Sequence, residues 1–115
     1  MKEHDEIILK KIKAYAEQAI QFKGSMDFAE FSKDGKSIAA CVFNLGQIGE
    51  LAGRLDSGFI CETKHIPWHK IKGLRNRVIH DYEGLQLNIV WDVLVEFLPE
   101  LIVNITNLGI ADTIS

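Results

Sequence analysis

Apolar residues recur at intervals of three and four through almost the whole chain, and this period decides what it can become. Ile8, Ile12, Tyr15, Ala19 and Phe22 form one such stripe, with lysines and glutamates on the opposite side. A spacing of this kind lies on one face of an α-helix but on both faces of a strand. The first helix is expected over residues 4 to 22, with Gly24 as its stop. Residues 25 to 36 read as loop, with Ser25 or Asp27 able to cap a short turn that carries Phe28 and Phe31. A second helix is expected from Ser37 to Leu55, on the stripe Ile38, Cys41, Val42, Leu45, Ile48, Ala52 and Leu55.

Beside that stripe runs a narrower one: Ala39, Phe43, Gly46, Glu50 and Gly53. An interior glycine costs a helix about 1 kcal/mol. Small residues there imply a close approach, by a neighbouring helix or by a second subunit. Asp56, Ser57 and Gly58 should break the helix, and residues 59 to 66 read as irregular. Pro67 suits a helix start, so a third helix is expected from there to Tyr82, ended by Gly84. A fourth, over residues 86 to 108, carries Leu87, Val90, Leu94, Phe97 and Leu101, and Pro99 should kink or split it. No strand pattern and no internal repeat interrupts this series. The expectation is one domain over residues 1–115, an all-α, four- to five-helix up-and-down bundle.

Composition narrows the function classes. The net charge is −3, which argues against a polycation that coats nucleic acid indiscriminately. Two cysteines, Cys41 and Cys61, are too few for a disulfide framework and belong to no CxxC, so free thiols in a reducing compartment are expected. The opening MKEHDEIILKKIK has no apolar core of the secretory kind, and no run is apolar enough to span a membrane. A cytoplasmic location is the resulting expectation.

Charge is nevertheless segregated. Between Thr63 and His80 stand Lys64, Lys70, Lys72, Arg75 and Arg77 with no acidic residue, while the other 97 residues carry eight basic and sixteen acidic ones. One anion-binding patch on an acidic body is implied. On an ideal helix Arg75 falls among Trp68, Ile71, Ile79 and Tyr82, in the middle of an apolar face. A buried guanidinium there would need a carboxylate, a polar cleft or an anion. Asn76 and His80 form an adjacent strip, in which the amide could hold the imidazole in one tautomer. Plainer roles stay open: Arg75 paired to Glu50 or Glu83 for structure, His80 answering the helix dipole, Asn76 a surface amide, Tyr82 a core residue. His65 and His69 lie four apart without further ligands at zinc spacing, so no metal site is expected, and no cofactor.

The string RNRVIHDY, Arg75 to Tyr82, resembles the Arg-x4-His-x-Tyr signature of HepT-like HEPN-domain proteins. IGELA (Ile48 to Ala52), IPW (Ile66 to Trp68) and the WDV–EFLP run (Trp91 to Pro99) resemble the same family, so the similarity covers residues 5 to 105. The resemblance implies an all-α homodimer whose motif helices meet and line a shared cleft. It implies a metal-independent endoribonuclease, with Arg75 and His80 catalytic and Asn76 supporting. It further implies the toxin half of a type VII toxin–antitoxin pair, neutralised when an MNT-type nucleotidyltransferase adenylylates Tyr82. Lys70, Lys72 and Arg77 would track the RNA backbone, and Glu50 would partner Arg75 or lie at the interface. Arg75 and His80 are about 140° apart on one ideal helix, so either the cleft is wide, or Arg75 of one chain meets His80 of the other, or Gly84 marks a loosened helix end. A non-catalytic HEPN subunit that binds a nucleotidyltransferase, and a bare helical dimerisation module, are the alternatives.

Overall fold

The computed structural model describes residues 1–79 and 86–110. His80, Tyr82, Glu83 and Gly84 lie outside the described residues. The described residues form an all-helical bundle. Its spine is two long helices, α1 (Glu3–Lys23) and α3 (Gly35–Ala52). Buried polar groups pin one to the other. Asn44 donates from Nδ2 to the Tyr15 carbonyl at 3.1 Å and to Gln18 Oε1 at 2.9 Å. The Cys41 thiol donates to the Ala19 carbonyl at 3.4 Å, and Asp5 Oδ1 accepts from the Asp56 backbone N–H at 3.0 Å. Residue numbers rise along α1 as they fall along α3, so the two run antiparallel. Burial pushes the Cys41 thiol up to about 11, which keeps it protonated and inert at neutral pH. Cys61 is exposed.

The remaining helices follow from local signals. Gly24, at φ 56°, ends α1. Asp27 and Glu30 then close a reciprocal capping box around α2 (Phe28–Phe31), with bonds of 2.8 and 3.1 Å. Phe28 and Phe31 both meet the Trp91 ring at 5.6 Å between centroids. Asp34 caps α3 by accepting from the Ser37 N–H, so this helix starts two residues earlier than expected. The segment read as irregular contains a short helix, α4 (Ser57–Glu62). Asp56, taken as a breaker, is its N-cap and accepts from the Gly58 N–H at 3.0 Å. The Lys2 ammonium, 3.3 Å away, holds the Asp56 carboxyl below its usual range.

The expected third helix is broken in two, α5 (Trp68–Lys72) and α6 (Leu74–Ile79), with a turn at Gly73. Thr63 fixes where α5 begins: its hydroxyl donates to the Phe59 carbonyl and accepts from Trp68 Nε1 at 2.9 Å. Both groups are buried, so each would be costly to leave unpaired. The fourth helix is also divided. Between α7 (Leu87–Asp92) and α8 (Leu98–Thr106) lies a π-helical segment, Val93–Phe97. Within it the Leu98 N–H reaches back five residues to the Val93 carbonyl. Pro99 lies in the first turn of α8. A proline ring collides with the carbonyl four residues earlier in a regular α-helix, and the widened turn accommodates it without a full break.

A close approach is made within the chain, but its centre is Gly49, which lies outside the expected stripe of Ala39, Phe43, Gly46, Glu50 and Gly53. A Cβ there would lie 3.3 Å from the carbonyl oxygens of Ile71 and Lys72 and 3.6 Å from the Arg75 backbone nitrogen. At Gly46 the nearest atom would be Arg75 Cγ, at 3.9 Å, which is ordinary contact. Gly53 is the C-cap of α3. Gly49→Ala is therefore expected to destabilise the fold by about 1–3 kcal/mol in urea unfolding, because backbone must move. Gly46→Ala should not destabilise it, and its gain in helix propensity should raise stability by up to about 1 kcal/mol.

Candidate functional site

The break at Gly73 decides where Arg75 points. Among the side chains of α5 and α6 whose burial is described, Trp68, Ile71 and Leu74 are buried, and Arg75 is exposed. The expectation of a guanidinium in the centre of an apolar face is thus corrected: it assumed one uninterrupted helix, and the turn gives the inward position to Leu74. Arg75 lies over α3 and donates from Nη1 to Glu50 Oε1 at 3.0 Å. Their side chains are 59% and 52% exposed. A pair this wet contributes only about 0–1 kcal/mol, so an incoming anion can replace the carboxylate at small cost.

Two open grooves flank this ion pair. One, of about 760 Å³, runs between α1 and α3 and is lined by Lys11, Tyr15, Gln18, Gln47, Glu50, Arg54 and Arg75 among others. The second, of about 390 Å³, lies between the end of α3 and the α5–α6 turn, and its polar side chains are Glu50, Arg54, Lys72, Arg75 and Asn76. Among the described residues, together they expose four cations, Lys11, Arg54, Lys72 and Arg75, around one carboxylate. Two guanidiniums shared by adjoining grooves suit a bridging phosphodiester, whose oxygens accept planar, paired donors.

The basic segment does not act as one patch. Lys72 and Asn76 join Arg75. Lys70 instead lines a groove with Glu100 and Asn104, and Arg77 lines one with Asp92, Glu96 and Glu100. Arg75 and Arg77 are about 200° apart on α6, so they serve opposite sides. The common RNA-tracking role expected for Lys70, Lys72 and Arg77 is therefore not matched by their placement: only Lys72 reaches the Arg75 side. Conversely, sequence reasoning passed over Arg54 and Lys11. Arg54 lies outside the basic segment, in the turn just past the Gly53 cap of α3, and it reaches the grooves from there. Nothing local marks Lys11, which joins the site only because α1 packs on α3.

His80 and Tyr82 lie outside the described residues, so their distances from Arg75 are not part of this geometry. Among the described residues there is no group of three or more His, Cys, Asp or Glu that could hold a metal ion. No helix among them is long and apolar enough to cross a membrane. Glu50→Gln should change the unfolding free energy by less than about 1 kcal/mol. The same substitution should tighten the binding of inorganic polyphosphate, read by titration calorimetry at low and moderate salt, because it removes the carboxylate that pairs with Arg75.

Comparison with known proteins places this geometry. The family model described as "Ribonuclease HepT-like" matches residues 12–108. A Methanocaldococcus jannaschii protein bearing the name "Putative RNase MJ0127" is 36% identical over 80 residues, 70% of this chain and 66% of that one. "Putative RNase TTE0752" of Caldanaerobacter subterraneus is 34% identical over 76 residues, 66% of this chain and 68% of its own. "Probable ribonuclease HepT" of Thermococcus cleftensis is 28% identical over 101 residues, 88% of this chain and 92% of its own. No solved structure matches. The matched span takes in α3, with Glu50 and Arg54, and the whole RNRVIHDY string, and the chain belongs to the ribonuclease HepT-like family.

Proposed function

We propose that the chain is a metal-independent endoribonuclease that cuts RNA in a cleft shared by two copies. The observation that carries this reading is the Arg75–Glu50 pair: an exposed, exchangeable guanidinium between two cationic grooves, on the motif helix of a ribonuclease HepT-like chain. In the proposed reaction the ribose 2′-oxygen attacks the neighbouring phosphorus while the P–O5′ bond breaks. The products are a 2′,3′-cyclic phosphate and a 5′-hydroxyl. The 2′-OH proton must go to a base, and the leaving oxygen must receive one. The motif's His80 is the group suited to that exchange at neutral pH. Arg75 and Arg54 would hold the phosphoryl oxygens and stabilise the charge that builds on them, and Asn76 would orient His80 or touch phosphate. One motif histidine per chain provides one base or one acid. Two copies of the motif helix provide both, which gives a homodimer a chemical reason.

The same reading includes control by a partner. The chain acts as the toxin half of a type VII pair in the cytoplasm, and an MNT-type nucleotidyltransferase transfers an adenylyl group to Tyr82. The phenolic oxygen attacks the α-phosphorus of ATP, the O–P bond forms, and pyrophosphate leaves. Tyr82 follows Arg75 by seven residues, so the added phosphate would compete for the guanidinium that RNA needs.

Arg75→Ala and His80→Ala are each expected to reduce cleavage of total RNA by at least about a hundredfold, while circular dichroism and oligomeric state stay those of the parent. Cleavage by His80→Ala at the parental rate would end the assignment. Intact mass spectrometry of the chain co-expressed with a nucleotidyltransferase encoded beside it should reveal one added adenylyl group, absent in Tyr82→Phe. A parent protein that neither cuts RNA nor arrests growth would instead be a non-catalytic HEPN subunit.

A further inference from the structure

The lining of the larger groove holds more than the Arg75 ion pair and its neighbouring cations. Between α1 and α3 it presents the half-buried Tyr15 with the amides of Gln18 and Gln47. The buried Asn44 shapes this part of the groove. Its Nδ2 binds the Tyr15 carbonyl and takes up Gln18 Oε1, so the Gln18 amide nitrogen is left without a partner among the described residues. Gln47 has no hydrogen-bond partner there, and neither does the Arg54 guanidinium. The lining of one groove thus combines an aromatic ring and two amides with three cations, Lys11, Arg54 and Arg75, and the Glu50 carboxylate. A bare polyanion site has no use for the ring or the amides. A nucleotide has use for all of them: its phosphate takes the cations, its base stacks on an aromatic side chain, and amides match the donor and acceptor edge of the base.

We propose that the α1–α3 groove is a nucleotide subsite for single-stranded RNA, in which Arg54 and Lys11 hold a phosphate next to Arg75 while Tyr15, Gln18 and Gln47 receive an unstacked base. This rests on the ribonuclease reading and deepens it. Arg75 alone would take any phosphodiester, whereas a base-binding floor favours unpaired strands and gives the site a base preference. A groove of about 760 Å³ is large enough for one nucleotide and too small for a duplex to enter with its bases stacked. Arg54 and Lys11 would bind substrate without moving protons. Gln47 and Tyr15 would set which strand is held.

The test uses the full chain carrying His80→Ala, so that the probe survives. Two fluorescent probes of about eight units are titrated: a single-stranded oligoribonucleotide and an abasic phosphodiester of equal length. The RNA should bind about tenfold more tightly than the abasic strand. Gln47→Leu and Tyr15→Leu should each erase most of that difference and leave the abasic affinity unchanged. Arg54→Gln should weaken both probes alike and lower the salt dependence of binding. Equal binding of the two probes overturns the subsite, as does a preference that survives both Gln47→Leu and Tyr15→Leu. The two readings fail separately. Base-dependent binding by a parent protein that never cuts RNA supports the subsite and removes the nuclease. Cleavage by the parent with no base dependence keeps the nuclease and removes the subsite.

Discussion

The site depends on backbone meeting backbone at Gly49. A Cβ at this position would come within 3.3 Å of the carbonyl oxygens of Ile71 and Lys72. Because α5 and α6 come that close, Arg75 stands directly over the last turns of α3 and within reach of Glu50. The contact is prepared from both sides. Asn44, Cys41 and Asp5 hold α3 in register with α1, and the Thr63–Trp68 hydrogen bond fixes the entry of α5. These bonds lie in buried surroundings, where a polar group without a partner costs about 1–3 kcal/mol, so they select one arrangement over slipped ones.

Electrostatics then divides the molecule into two sides. The chain is acidic overall, yet the grooves around Arg75 carry four cations and one carboxylate. The grooves near Lys70 and Arg77 contain Glu96, Glu100 and Asp92. In the proposed function an anion is drawn to the Arg75 side, where Glu50 holds the place proposed for a phosphate. A pair exposed to this extent is weak, so it keeps the guanidinium oriented without blocking it. In the proposed reaction that orientation matters more than the strength of the pair, because catalysis gains from donors already aimed at the developing charge.

How much of this was legible in the sequence varied from element to element. Helix α1 was read almost to its ends, because its apolar stripe is continuous and Gly24 stops it. The Asp27 cap was read for the same kind of reason: capping is a contact within four residues of chain. Helix α4 was missed. Six residues are too few to establish a period, and the Ser-Gly that opens it resembles a loop. Gly73 was overlooked inside a pattern that otherwise continued, and with it went the prediction that Arg75 is buried. Pro99 was read correctly as a disturbance, but the form it took, a widened π turn, depends on how α7 and α8 both stay packed.

By itself the sequence determined the helical class, the ends of α1 and the cap of α2, the family, and the residue types available for handling a phosphate. These are encoded by periodicity, caps and short motifs, all of which act over a few residues. Only the tertiary structure decided that Arg75 faces outward onto Glu50, that Arg54 and Lys11 join it, and that Lys70 and Arg77 do not. Those outcomes depend on which helix faces meet across 25 or more residues of chain, and a one-residue break at Gly73 is enough to turn a side chain from the core to a groove.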